Sequence, residues 1–131
     1  MRMTMSQYRA YVRRTDGAGQ IKRHATRTKA EETVLRALEA ASNGGREYRI
    51  AQQVRNLFPL PGGGEYIPDF VLLYPDGGMT VVEVKGGYKG PGAEQGHERY
   101  ARVASLYATK ACRFEKWTVG RNGQINVEAW L

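Results

Sequence analysis

Between Thr28 and about Ala41, Val34, Leu35 and Leu38 recur at helical spacing among polar residues. Thr28 is placed to cap this helix, with Glu31 three residues on, and Asn43-Gly44-Gly45 stops it. Tyr48 to Phe58 is compatible with a strand and ends in the breaker-rich Pro59 to Gly64. Glu65 to Tyr74 is rich in aromatic and branched residues and runs into the turn Pro75-Asp76-Gly77-Gly78. Met79 to Lys85 follows as the second arm of a hairpin. After the glycine-rich Gly86 to Gly92, the segment Glu94 to Ala111 reads as a helix, with Tyr100, Val103, Ala104 and Tyr107 on one stripe. Cys112 to Val119 and Gln124 to Leu131 flank Gly120-Arg121-Asn122-Gly123 as a closing hairpin.

The predicted order is α-β-β-β-α-β-β, an α/β fold with helices on a central mixed sheet. With 131 residues, the chain fits one domain and is too short for a catalytic unit plus a separate specificity domain. Hydrophobic residues make up 41% and charged residues 25%, a globular composition that excludes a disordered or membrane protein. No apolar run approaches a membrane span, and MRMTMSQYRAYVRR lacks the apolar centre of a signal peptide. A soluble cytoplasmic protein is expected, with no membrane partner. The lone Cys112 has no cysteine to pair with and is expected to be a small buried hydrophobe.

Charge changes the picture through its distribution. The net charge is +7, and residues 1–30 carry eight Lys or Arg against one acid, Asp16, whereas residues 31–131 carry twelve of each sign. Residues 1–27 therefore read as a basic arm ahead of a domain at 28–131. A solvated tail is the bland interpretation. Interleaving with Tyr8 and Tyr11, directly ahead of a helix start, favours an arm that grips phosphates, with Arg13, Arg14, Lys22, Arg23, Arg27 and Lys29 as contacts.

The candidate chemistry lies in Pro68-Asp69 and, fourteen residues after Asp69, Glu83-Val84-Lys85. Alternation along a strand puts Glu83 and Lys85 on one face and Val82 and Val84 on the other. If the strands pair through the 75–78 turn, Asp69 comes close to Glu83, and two carboxylates brought together repel unless a cation lies between them. Hard carboxylate oxygens suit magnesium, with manganese able to substitute. Lys85 beside such an ion could offset charge at phosphorus, so the set fits phosphodiester hydrolysis. An ordinary exposed Glu-Lys pair is the bland alternative. It is disfavoured because both halves sit in apolar runs, where acids are costly.

The stretch Y-I-P-D-F-V-L-L…V-V-E-V-K-G-G resembles the core motif of the PD-(D/E)XK nuclease superfamily, over roughly residues 25–119. Within it the pattern is most similar to small Holliday junction resolvases, of the archaeal and the phage endonuclease I types. The resemblance implies a restriction-endonuclease-like core. In the phage type a Ser-x-x-Glu opening the first helix supplies a further active-site acid; Thr28-Lys29-Ala30-Glu31, with Val34 and Leu38-Glu39 following, carries that role to Glu31, which the resemblance makes a metal ligand alongside Asp69 and Glu83. Glu31 also shares a helical face with Val34, Leu35 and Leu38, while Glu32 points about 100° away. Its bland role is a capping partner of Thr28, and the two are compatible.

Weaker candidates are Gln52 as a helper on the first strand, His97 on or beside the inner stripe of the second helix, and Lys89 and Arg99 as phosphate contacts. Each has a solvated surface position as its alternative. Gly86 to Gly92 lacks phosphate-loop spacing, so no nucleotide cofactor is expected. The expectation is a magnesium-dependent endonuclease for branched DNA, in DNA recombination and repair of a bacterial, archaeal or phage-infected cell. A four-way junction has two strands to cut, which calls for a homodimer. The rivals are a sequence-specific or general nuclease of the same class, and a DNA-binding module without catalysis.

Overall fold

A computed structural model describes residues 27–86 and 91–131. Residues 1–26 of the basic arm, and Lys89, lie outside the described residues. Helix α1 spans Lys29–Ala41 and helix α2 Pro91–Tyr107. The strands are β1 (Arg49–Gln52), β2 (Phe58–Pro59), β3 (Glu65–Tyr66), β4 (Phe70–Leu73), β5 (Met79–Lys85), β6 (Cys112–Val119) and β7 (Ile125–Ala129). Five of them form one mixed sheet in the order β1-β4-β5-β6-β7, while β2 and β3 pair separately. Only β5 and β6 are parallel, and α2 lies between them in sequence, as a parallel connection requires.

The sheet lies between the two helices, and strand alternation decides which side chain meets which. Val34, Leu35 and Leu38 of α1 pack with Phe70, Leu72 and Val82, whereas Tyr100, Val103 and Ala104 of α2 pack with Val71, Leu73 and Val81. Both faces of β4 and β5 are thus covered, which explains their near-continuous apolar runs. Truncating Leu38, almost fully buried, to alanine is expected to cost about 2–5 kcal/mol.

Two predicted strands are each split. The 48–58 segment forms a sheet strand only to Gln52, because Gln53 and Asn56 adopt φ of 49° and 63°, which no strand accommodates. The 65–74 segment breaks at Pro68, which has no N–H for a ladder, so its first part pairs with β2 and its second with β1 and β5. Helix α2 begins at Pro91, where proline suits a first turn, three residues ahead of expectation. It ends at Tyr107 and not Ala111, because the Thr109 hydroxyl accepts the N–H groups of Ala111 and Cys112 and turns the chain into β6. Cys112 is partly buried against the α2-side core, less enclosed than expected. No helix among the described residues is long and apolar enough to cross a membrane.

Candidate active site

The 75–78 turn sets the geometry of the acids. Asp76 Oδ1 accepts the Gly78 N–H at 2.8 Å and Gly77 takes φ of 91°, so β4 and β5 pair with Phe70 opposite Val82. One step further along this register Asp69 faces Glu83, which is why fourteen residues separate them. Beyond that step Pro68 cannot extend the ladder. The Asp69 side chain closes it instead, with Oδ2 accepting the Val84 N–H at 2.8 Å.

Asp69, Glu83 and Lys85 share the α2-side face with Val71 and Val81. Glu83 is buried, and its two oxygens have different partners: Oε1 accepts a 2.6 Å hydrogen bond from the Tyr66 hydroxyl, and Oε2 lies 3.7 Å from Lys85 Nζ. The β5–β6 register places Lys116 beside Glu83 on the same face, with its Nζ 3.7 Å from Glu128 Oε2. A charged row, Glu83-Lys116-Glu128, therefore crosses three adjacent strands, with Asp69 just ahead of β4 at its end.

Burial pushes the Asp69 carboxyl up to about 8, and the charge of Glu83 pushes further in the same direction; the Val84 N–H and Lys85 oppose it. Burial also raises Glu83, against the pull of the Tyr66 hydrogen bond and of Lys85. Glu31 raises both carboxyls by its own charge. It stands on the first turn of α1, which meets the end of β5 where a Cβ on Gly86 would lie 3.2 Å from the Ala30 Cβ. The Thr28 hydroxyl holds it in a local cap, accepting the Glu31 N–H at 3.1 Å and donating to Glu31 Oε1 at 3.0 Å. The cap at Glu31 thus leaves its charge within reach of both carboxyls.

Two desolvated carboxylates with excess negative charge make a donor set suited to a hard divalent cation, which keeps several waters and uses one or two carboxylates. Asp69 and Glu83 fit that requirement. Among the described residues no cluster of three His, Cys, Asp or Glu forms around an ion-sized space.

Other expected residues are placed differently. Gln52 pairs with Phe70 and, like Ile50, belongs to the α1 side, opposite the acids; alternation along β1 excludes it as a direct helper at Asp69 and Glu83. Its neighbour Gln53 donates its backbone N–H to the Asp69 carbonyl at 3.2 Å. His97 is exposed, and the first buried α2 side chain among the described residues is Tyr100. Arg99 and Lys29 are exposed, whereas Arg27 is held by Glu32 at 2.8 Å and its charge is already partnered. Arg13, Arg14, Lys22, Arg23 and Lys89 lie outside the described residues.

Tyr66 and Lys116 were not evident as site residues from sequence. Tyr66 had a weak signal, lying three residues before Asp69 in the same segment, but Lys116 depends on the parallel register. Tyr100 belongs with them: its buried hydroxyl has no hydrogen-bond partner among the described residues, and burial followed by the charge of Glu83 raises it to about 12. Comparison of the chain with protein-family models, curated proteins and solved structures finds no match.

Proposed function

We propose that the protein is a divalent-metal-dependent DNA endonuclease, and within that class a structure-selective enzyme acting on four-way junctions. The observation that carries the reaction class is the juxtaposition of Asp69, one residue ahead of β4, with Glu83 on β5, where Asp69 accepts the Val84 N–H at 2.8 Å and Lys85 Nζ lies 3.7 Å from Glu83. Magnesium, or manganese in its place, would supply the charge that polarises a scissile phosphate and activates water. Asp69 and Glu83 are the residues to hold it. Tyr66 fixes one oxygen of Glu83 and leaves the other toward Lys85. Lys85 then offers a compact cation where charge develops at phosphorus. Glu31 contributes further negative charge from α1.

An antiparallel β4–β5 pair with Glu83 on β5 and Asp69 just ahead of β4, followed by a helix and a parallel β6, supports a restriction-endonuclease-like core. Junction selectivity rests on the resemblance of the Asp69 to Gly87 motif and of Thr28 to Glu31 to small resolvases. It also rests on the absence from the sequence of a helix-turn-helix or zinc-finger pattern for reading bases. Purified protein with magnesium, offered a four-way junction, a nicked duplex, a plain duplex and single strands, tests the reading. Selective junction cutting, lost in Asp69→Asn and Glu83→Gln and nearly lost in Lys85→Ala, is expected. Fixed-sequence cutting of plain duplex would replace junction selectivity with a restriction-type activity, and tight binding without cutting would remove the enzyme assignment.

A further inference from the structure

Next to the acids, where the chain leaves Lys85 through Gly86, the first turn of α1 and the β6–β7 turn enclose a groove of about 220 Å³. Lys29, Ala30 and Thr33 form one wall, and Gly86, Gly120 and Arg121 much of the other. Its lining includes two cations and no acid. That contrasts with the charged row beside it, where Lys85 and Lys116 each have a carboxylate within 3.7 Å. Lys29 and Arg121 are exposed, and neither is paired with a carboxylate among the described residues.

The backbone adds to the same preference. Thr28 takes the N–H of Glu31, and its carbonyl takes that of Glu32. The N–H groups of Lys29 and Ala30, ahead of any intrahelical acceptor, have no partner among the described residues and stand at the positive end of a 13-residue helix. Gly86 and Gly120 have no side chains to fill the space, and a Cβ on Gly86 would lie 3.2 Å from the Ala30 Cβ, a tight contact. The volume equals that of about seven waters, enough for a phosphodiester and part of its sugar.

We propose that this groove seats a non-scissile backbone phosphate of the bound DNA strand, held by Lys29, Arg121 and the open N–H groups of α1. The identity of the ligand as DNA rests on the nuclease reading; the preference for a phosphate anion rests on the groove itself. The groove opens at Gly86, the residue after Lys85, at the end of the sheet where the α1 side meets the strand that carries Glu83. The cations also offset the repulsion that the buried acids exert on an approaching phosphate.

The test uses the full chain without divalent ion, measuring junction affinity across a salt series. Lys29→Ala/Arg121→Ala should weaken binding and reduce the slope of log affinity against log salt by roughly 0.9 for each phosphate no longer neutralised. Lys110→Ala/Arg113→Ala removes the same charge at the opposite end of the sheet, beside the 75–78 turn, and should leave the slope unchanged. Equal losses in both variants, or none in the first, overturn the proposal. Amide resonances of Ala30 and Gly86 give a readout independent of cutting. They should shift with a single-stranded oligonucleotide, far less with equimolar inorganic phosphate, and not at all in Arg121→Ala. Equal response to inorganic phosphate overturns the strand assignment. Shifts in a protein that cuts no DNA would remove the nuclease reading and leave the groove standing, and cutting with a silent groove would do the reverse.

Discussion

The Tyr66 hydroxyl donates a 2.6 Å hydrogen bond to Glu83 Oε1, joining the small β2–β3 hairpin to the central strand of the main sheet. Tyr66 is buried, and Phe58 of the same hairpin packs on Phe114 of β6 with ring centroids 5.4 Å apart and planes tilted by 54°, so the hairpin is packed onto the α2-side core. A charged acceptor makes this bond stronger than a neutral one. Tyr66→Phe should therefore destabilise the protein by about 1–3 kcal/mol at neutral pH. A double-mutant cycle with Glu83→Gln, read by urea unfolding, should show coupling of that order, since the two residues touch. Additive effects would mean that the bond contributes nothing specific to either partner.

The raised Asp69 carboxyl makes stability depend on pH in a definite direction. Its folded value is about 8 against an ordinary 3.8. Between roughly pH 4 and 8 the unfolded chain has released a proton that the folded protein keeps, so stability falls as pH rises through this window. The raised Glu83 carboxyl acts in the same sense. In chelator, the melting temperature should decline from pH 5 to pH 8, and more steeply than in Asp69→Asn, whose amide oxygen can still accept the Val84 N–H. At pH 8 the variant should be the more stable protein, and at pH 4 the two should converge. A wild-type melting temperature that rises across the window would contradict the burial of these acids.

Divalent ions should reverse that penalty. A cation bound only by the folded protein stabilises it by about 2.7 kcal/mol at a hundred times its dissociation constant. Magnesium at pH 7.5 should raise the wild-type melting temperature, and the gain should shrink strongly in Asp69→Asn and Glu83→Gln. Calorimetric titration gives the stoichiometry directly. An equal gain in all three proteins would place the ion elsewhere.

The legible part of this fold is the part specified by local pattern. The α1 stripe of Val34, Leu35 and Leu38, the 75–78 turn and the alternation of Glu83 with Val82 and Val84 are written within a few residues of themselves, and each is found as expected. The approach of Asp69 to Glu83 follows from the turn alone. Non-local pairing was not legible. The separate β2–β3 ladder depends on left-handed Gln53 and Asn56, and the Lys116-Glu83 adjacency on a parallel register set across α2. The same distance hides Tyr66 as a partner of Glu83, because its hydroxyl reaches Glu83 only once the hairpin folds over. The misplaced Gln52 has a simpler cause: β1 had no assigned partner, so its inward face could not be chosen.

The basic arm provides a further prediction. Eight cations in residues 1–30 should release counterions on meeting DNA, giving a steep salt dependence. Deleting residues 1–24 removes six of them (Arg2, Arg9, Arg13, Arg14, Lys22 and Arg23) and leaves Arg27, Lys29 and the whole of α1. Log affinity against log salt should flatten by up to roughly 0.9 for each phosphate that the arm neutralises. An unchanged slope would reduce the arm to a solubilising tail.

The last prediction is a homodimer, argued from substrate and surface together. One chain offers one set of Asp69, Glu83 and Lys85, whereas a four-way junction presents two equivalent strands, so symmetric resolution requires two chains related by a two-fold axis. Strand β7 is an edge of the sheet, and its far side has no strand partner among the described residues. Val127 is exposed on it, followed by the exposed Trp130 and Leu131. Trp130 is only partly committed to its own core: its ring meets Tyr100 edge-on at 6.3 Å, and the rest is open to a neighbour. An unprotected apolar edge is a natural pairing surface, and a half-exposed tryptophan is the kind of residue that anchors interfaces. Scattering in moderate salt should give about twice 14.7 kDa. Val127→Lys, which places like charges across a two-fold edge, should shift the protein to monomer without unfolding it. Mixing wild-type with Glu83→Gln subunits should yield nicked and not fully resolved junctions. A monomer that cuts both strands at full rate would overturn the dimer and weaken junction resolution with it.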